Sequence, residues 1–217
     1  MFIGHFAVAF AAKKIEPEVS LGTTFAAAQL ADVVWPVLVL AGIERVAIAP
    51  GDTAVTPLRF ESYPYSHSLV AGLLWALAFG GVHYLFRKRL RAALVLGLLV
   101  VSHWVLDVAS HRPDMPVTPW GALRLGLGLW YSLPATVLVE VAFFAAGVWL
   151  YVSATRGRDR VGRYGLASLV AFLVVLYAGN LLGPPPPSIE AIGWAGLLGA
   201  AILLAWAAWV DRHREAR

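Results

Sequence analysis

Six apolar stretches, each about as long as a membrane span, constrain this chain of 217 residues more than any other feature. A span needs roughly 20 apolar residues. Segments of that kind run at about 20–43, 66–86, 90–110, 129–152, 164–183 and 189–210. In hydrocarbon every backbone N–H and C=O must be satisfied internally, so each stretch is expected to be a helix. Residues 2–12 form a seventh apolar piece, too short to cross and tolerated at depth only when packed against protein. The expected architecture is an all-α integral membrane protein with six transmembrane helices plus a short N-terminal half-inserted helix. It forms one polytopic domain over residues 1–217.

Composition narrows the function classes. The chain is 59% hydrophobic and 14% charged, against about 25% charged in a soluble domain. No room remains for a second sizeable soluble domain. Cysteine is absent, which excludes disulfides and thiolate-ligated zinc. The N-terminus lacks a basic leader and a cleavage-like site, so a signal peptide is not expected. A sequence pI near 9.6 would suit nucleic acid, but membrane topology explains the basic residues better.

Lys and Arg set the orientation. Loop 87–91 carries Arg87, Lys88, Arg89 and Arg91; loop 156–163 carries Arg156, Arg158, Arg160 and Arg163; the tail carries Arg212, Arg214 and Arg217. Six crossings put these on one side, together with Lys13 and Lys14. The basic side is expected to be cytoplasmic, the C-terminus included, with loops 44–65 and 111–128 and the Pro184–Pro187 connector facing outward.

Ionisable residues inside the apolar stretches then stand out. His103 and Asp107 are four apart on one helix face. At about 1.5 Å per residue, Asp32 lies roughly 18 Å above the cytoplasmic start of its span, His103 about 20 Å and Asp107 about 25 Å. His67 sits in the first turn of a span entering from outside. Four groups on three helices therefore fall in the outer half of the bilayer, where such residues are costly and usually functional. His5 joins the layer from below if its segment is inserted. Glu140 sits near the middle of its span, and His111 and Asp114 follow in the outer loop.

Imidazole and carboxylate are zinc-type ligands, and an open position on such an ion activates water. Glu140 or Asp114 could orient a ligand or act as general base. Plainer roles stand beside these. His103–Asp107 could be a structural hydrogen-bonded pair, and Ser66-His67-Ser68 a polar helix cap. Asp32 could pair with an arginine, His5 could be an isolated polar residue, and Glu140 a structural hydrogen bonder. His83 reads as interfacial and His213 as part of a solvated tail. Trp35, Trp104 and Trp130 could wall a site.

Gly4-His5, Gln29-Leu-Ala-Asp32-Val-Val-Trp-Pro36, Ser66-His67-Ser68 and Ser102-His103-x-x-x-Asp107 occur in this order over residues 1–120. In this the chain resembles bacterial inner-membrane proteins described as metal-dependent hydrolases (the YdjM-like group), distantly similar to zinc-dependent phospholipase C. The resemblance implies that His5, Asp32, His67, His103 and Asp107 bind metal. Members of that group often carry Pro-Asp-x-Asp-His-Pro and His-Arg-Gly where this chain has Ala31-Asp32-Val33-Val34-Trp35-Pro36 and Tyr63-Pro64-Tyr65. Ligands are fewer here, so one divalent ion, at most two and zinc by donor type, is expected, with His111 and Asp114 as compensating groups. Residues 121–217 carry no recognised motif.

The expected function is a membrane-embedded metal-dependent hydrolase acting on a lipid or lipid-linked ester or phosphoester that enters from the outer leaflet. The alternatives are a proton- or ion-coupled transporter, disfavoured by the lack of an internal repeat, and a noncatalytic scaffold whose polar cluster fixes helix packing. Lipids are the expected partners, nucleic acid is not, and a homo-oligomer is compatible with the sequence.

Overall fold

A computed structural model describes all residues 1–217. The chain is all-α, with helices over 68% of its length. Five straight helices are long and apolar enough to cross a membrane: α5 (Leu69–Arg87), α6 (Leu90–Ser110), α7 (Leu133–Ala154), α8 (Leu166–Leu182, extended backward by a π-helical turn over Val161–Gly165) and α9 (Ile189–Arg212). Serine hydroxyls cap three of them. Ser68, Ser132 and Ser188 accept from the N–H groups of Ala71, Ala135 and Ala191, satisfying donors that a helix start leaves orphaned.

The stretch expected to be one straight span at 20–43 is instead broken. Helix α2 (Leu21–Ala28) and α3 (Leu30–Leu40) meet at Gln29 with a bend of 55°. Six spans result only when this bent pair counts as one. Pro36 lies inside α3, and its missing N–H leaves the Asp32 carbonyl without its intrahelical donor.

Helix α1 (Ile3–Ile15) is the short N-terminal piece. Its 13 residues span about 20 Å, less than the roughly 30 Å of hydrocarbon. Ile3, Phe6, Ala7, Ala9, Phe10 and Ala12 are buried, so α1 is an interior helix, apolar on every side. It packs on α7, α2 and α6. Contact with α7 is close enough that a Cβ added to Gly147 would lie 2.4 Å from the Ala7 carbonyl oxygen, the small-residue packing that substitutes for hydrophobic drive between membrane helices. Phe6, Phe10, Phe25, Phe144 and Tyr151 interlock edge to face around α1, a preferred aromatic arrangement.

The polar connections gather at opposite ends. At the basic end Lys13 pairs with Asp211 at 2.9 Å, Arg89 with Glu16 at 3.4 Å, and the Arg158 N–H donates to the His213 carbonyl at 2.9 Å. These contacts place Lys13, loop 87–91, loop 156–163 and the tail side by side. His213, expected in a solvated tail, is held there: its Nδ1 lies 2.6 Å from Asp159, and strand β6 (Arg214–Ala216) pairs with β5 (Thr155–Gly157). At the other end β1 (Arg45–Ile48) pairs with β2 (Leu58–Ser62), and β3 (Met115–Pro116) with β4 (Arg124–Leu125). The Ala54 N–H donates to the Trp130 carbonyl at 3.0 Å, joining the two loops into a cap. These hairpins are not visible as helical periodicity and were not expected.

Candidate metal centre

Four elements bring five ionisable side chains together beneath that cap. The i,i+4 spacing on α6 sets His103 and Asp107 on its inner face. The broken helix presents Asp32 from the first turn of α3. The turn α4 (Pro64–His67) ends on His67 just before the Ser68 cap, and α1 delivers His5 from its own first turn. Two groups of potential ligand atoms result, each within 4.8 Å: His5, His103 and Asp107, and Asp32, His67 and His103.

Hydrogen bonds fix the imidazoles. The His103 Nδ1 lies 2.7 Å from the carbonyl oxygen of Ala28. A carbonyl only accepts, so Nδ1 carries the proton. Ala28 is the last residue of α2, where a helix end leaves carbonyls unpaired. In the neutral ring, Nε2 is then a bare lone pair. It is buried and unpartnered, yet lies 3.1 Å from Asp107 Oδ2 and 3.6 Å from Asp32 Oδ1. Three electron-rich atoms facing one another in a buried site call for a cation or a proton between them.

His67 repeats the pattern through a relay. Glu44, buried beside β1, accepts from the backbone N–H groups of Tyr65 at 2.7 Å and Ser66 at 2.9 Å, and from the Ser66 hydroxyl at 2.5 Å. With its proton directed at Glu44, Ser66 Oγ accepts from His67 Nδ1 at 2.7 Å. The His67 Nε2 is thereby turned to the cluster, 3.4 Å from Asp32 Oδ1 and 3.8 Å from Asp107 Oδ2. Zinc–ligand bonds of about 2.0–2.2 Å imply tetrahedral edges of about 3.3–3.6 Å. The four separations, 3.1, 3.4, 3.6 and 3.8 Å, bracket that range.

His5 approaches from the other side. Its Nε2 lies 3.0 Å from Asp107 Oδ1, and its ring stacks on His103 at 3.7 Å. The Met1 amino group lies 2.5 Å from the same carboxylate oxygen. His5, His67, His103 and Asp107 are all buried, whereas the Asp32 side chain is 45% exposed. The cluster therefore opens on the α3 side. A cavity of about 10 Å³ lies beside His67 and His103, walled by Trp75 and Trp104, room for one water.

Three expected site residues stand elsewhere. Glu140 is not placed as a base: its carboxylate accepts from the N–H groups of Phe2 at 2.9 Å and Gly4 at 3.2 Å, and so receives the orphaned donors at the start of α1. His111 belongs to neither ligand group. Its Nδ1 lies 3.1 Å from Asp114 Oδ1, and its ring packs on Trp130 at 4.1 Å. Asp114 is committed to the cap, accepting from the Tyr63 hydroxyl and the Arg112 Nε, both at 2.8 Å. Burial alone would disfavour its charge, but hydrogen bonds from His111, Tyr63 and Arg112 outweigh it and hold the carboxyl below its ordinary value. Burial pushes the Tyr63 phenol up and His111 down. Of the three tryptophans, Trp104 walls the cavity, Trp130 covers His111, and Trp35 packs on Phe60.

Sequence reasoning missed Glu44 and gave Ser66 only a capping role. The available signal was a lone acid immediately after an apolar span, but its partner lies 22 residues on. No family model, curated protein or solved structure matches this chain.

Proposed function

We propose that this chain is a membrane-embedded, metal-dependent hydrolase that cleaves an ester or phosphoester of a lipid or lipid-linked substrate. Its main support is the bare Nε2 of His103, buried and facing two carboxylates. His103, His67, Asp32 and Asp107 supply two imidazoles and two carboxylates, a donor set that suits zinc. His103 has one free lone pair and belongs to both ligand groups, which favours one ion over two. His5 holds the opposite oxygen of Asp107 and completes the set. When bound, such an ion acidifies a water and stabilises negative charge developing on a substrate oxygen.

The chain's own residues do the rest. Ala28 and the Glu44–Ser66 pair fix both imidazole tautomers, so the ligand lone pairs are preset. Trp75 and Trp104 restrict the adjoining cavity to a volume the size of one water. Asp32 lies at the exposed edge, where a head group could reach the cluster sideways between helices. With the basic end cytoplasmic under the positive-inside rule, the site falls in the outer half of a bacterial inner membrane, and substrate enters from the outer leaflet.

The test is metal analysis of protein purified in mild detergent, paired with a lipid-phosphoester hydrolysis assay. Stoichiometric zinc or manganese, lost together with hydrolysis in His103→Ala while the fold persists, is the expected result. Protein that stays metal-free when supplied with these ions would overturn the proposal. The 3.1 Å contact between His103 Nε2 and Asp107 favours one second reading, a protonated His103 in a purely structural ion-pair cluster. That reading predicts no metal and no hydrolysis.

A further inference from the structure

At the basic end, away from the residues of the metal centre, α7, α8, the 155–165 segment and the tail line an open cleft of about 770 Å³. Its volume is that of a small-ligand pocket. The lining divides sharply. Val148, Val152, Leu166 and Val170 form an apolar wall on the two membrane helices, and six arginines line the remainder with a single acidic side chain, Asp159. That carboxylate is already engaged, receiving the Gly162 N–H at 2.9 Å and facing His213 Nδ1 at 2.6 Å.

The arginines sit on a built platform. Strand β5 pairs with β6, and Arg214 donates to Thr155 Oγ1 at 2.9 Å and to the Gly162 carbonyl at 2.6 Å. The platform requires glycine at 162, since a Cβ there would lie 2.0 Å from the His213 carbonyl oxygen. Arg156 and Arg158 are spent on internal contacts, with Glu215 and with the Arg212 carbonyl. Arg160 and Arg163 form no ion pair. Both are exposed on the cleft rim, and Arg163 lies over the ring of Tyr164 at 5.8 Å.

We infer that this cleft is a binding site for an anionic phospholipid, with the head-group phosphate held by Arg160 and Arg163 and an acyl chain laid along the apolar wall of α7 and α8. Guanidinium forks match phosphate oxygens in geometry and charge, and basic pockets between membrane helices take anionic head groups. The apolar wall distinguishes a lipid from a free anion, because inorganic phosphate has nothing to place against Val148, Val152 and Val170. The site shares no residue with the metal centre, so its binding test stands apart from any assay of hydrolysis.

Native mass spectrometry of the full chain in mild neutral detergent tests this, with phosphatidylglycerol, phosphatidylcholine and inorganic phosphate titrated separately. Phosphatidylglycerol is expected to form one-to-one adducts well below the concentration at which phosphatidylcholine does. The R160Q/R163Q variant is expected to weaken them by on the order of thirtyfold, and R160K/R163K to recover part of the loss. Melting temperature in phosphatidylcholine checks that the double variant still folds. Equal binding of the two lipids, or undiminished phosphatidylglycerol adducts in a folded R160Q/R163Q, would overturn the assignment. Displacement of the lipid by inorganic phosphate at matching concentration would overturn it too, in favour of a free-anion site.

Discussion

Glu44→Gln changes one atom yet is expected to turn a ligand away from the cluster. In the native chain the Ser66 hydroxyl donates to Glu44 Oε2 at 2.5 Å, and so must accept from His67 Nδ1 at 2.7 Å. A glutamine can keep its oxygen on the Tyr65 and Ser66 N–H groups, which both contact Oε1 at 2.7 and 2.9 Å. Its amide nitrogen then faces Ser66 Oγ and can only donate. The hydroxyl must turn its own proton toward His67 Nδ1, which leaves the imidazole proton on Nε2. That nitrogen is the one 3.4 Å from Asp32, and a protonated Nε2 cannot ligate. Restoring the native tautomer would make Ser66 Oγ accept from both neighbours and leave its own proton without a partner in a buried site.

Groups that hydrogen-bond the far nitrogen of a ligating imidazole typically change metal affinity by about 10–100-fold, or roughly 1.4–2.7 kcal/mol. The backbone contacts survive, so folding should suffer less than the roughly 3–5 kcal/mol of a broken buried ion pair. The assay is competitive zinc titration against a chromophoric chelator in detergent, with thermal melting of the apo protein alongside. Ser66→Ala leaves Nδ1 without a partner and should weaken zinc without reversing the tautomer, so its loss should be the smaller one. Native zinc affinity in both variants, each melting like the parent, would refute the relay.

Two further outcomes follow from the polar ends of the bundle. Lys13→Met should cost about 3–5 kcal/mol, because Lys13 Nζ holds Asp211 at 2.9 Å together with the Pro17 and Val19 carbonyls, both at 2.7 Å. Thermal melting checks this, and adding Asp211→Asn should recover part of the loss. The cap over the cluster should loosen as pH falls. His111 is held below its ordinary 6.5 by burial, so its neutral form stabilises the fold fully above that value and the contribution is lost as pH drops through it. Asp114, also held low, adds a second loss only as pH falls below its ordinary 3.8. Amide protection in residues 111–131, taken relative to the intrinsic exchange rate at each pH, should fall between pH 7.5 and 5.5 in the parent and hardly change in His111→Phe.

The helices could be read from hydropathy because a bilayer leaves a chain few options. Residues 90–110 coincide with α6, and the other straight spans fall within a few residues of their helices. The break at Gln29 was invisible for the same reason: residues 25–34 are apolar apart from Gln29 and Asp32, and that pattern suits a straight span as well as a bent one. Pro36 marks a disturbance in α3 but not its location or angle. At the site, the His103–Asp107 spacing places both groups on one face directly. Convergence of His5, Asp32 and His67 on that face depends on how four elements pack, which no local pattern encodes. Glu140 shows the limit in the other direction. A lone acid in mid-span looks like a functional group, yet here it answers the orphaned N–H groups at the start of α1, a partner 138 residues away.

The bend at Gln29 and the interior position of α1 solve one geometric problem. Straight spans packed side by side present their side chains laterally, all roughly perpendicular to the bilayer normal, and surround a point poorly. Helix α1 is too short to span. Its first turn therefore lies inside the bundle, where His5 can reach Asp107 from beyond the α6 face. The break in α2–α3 ends one helix at Ala28, so that a terminal carbonyl faces His103, and begins another whose first turn carries Asp32. One discontinuity thus sets both the tautomer of a central imidazole and the approach of a carboxylate. These irregular elements are the ones a membrane fold disfavours, because their polar backbone ends must be satisfied away from water. Here Glu140 takes the donors at the start of α1 and His103 answers the carbonyl at the end of α2. The polar groups of the cluster therefore also close the backbone of the helices that carry them, which ties the fold of residues 1–110 to the site.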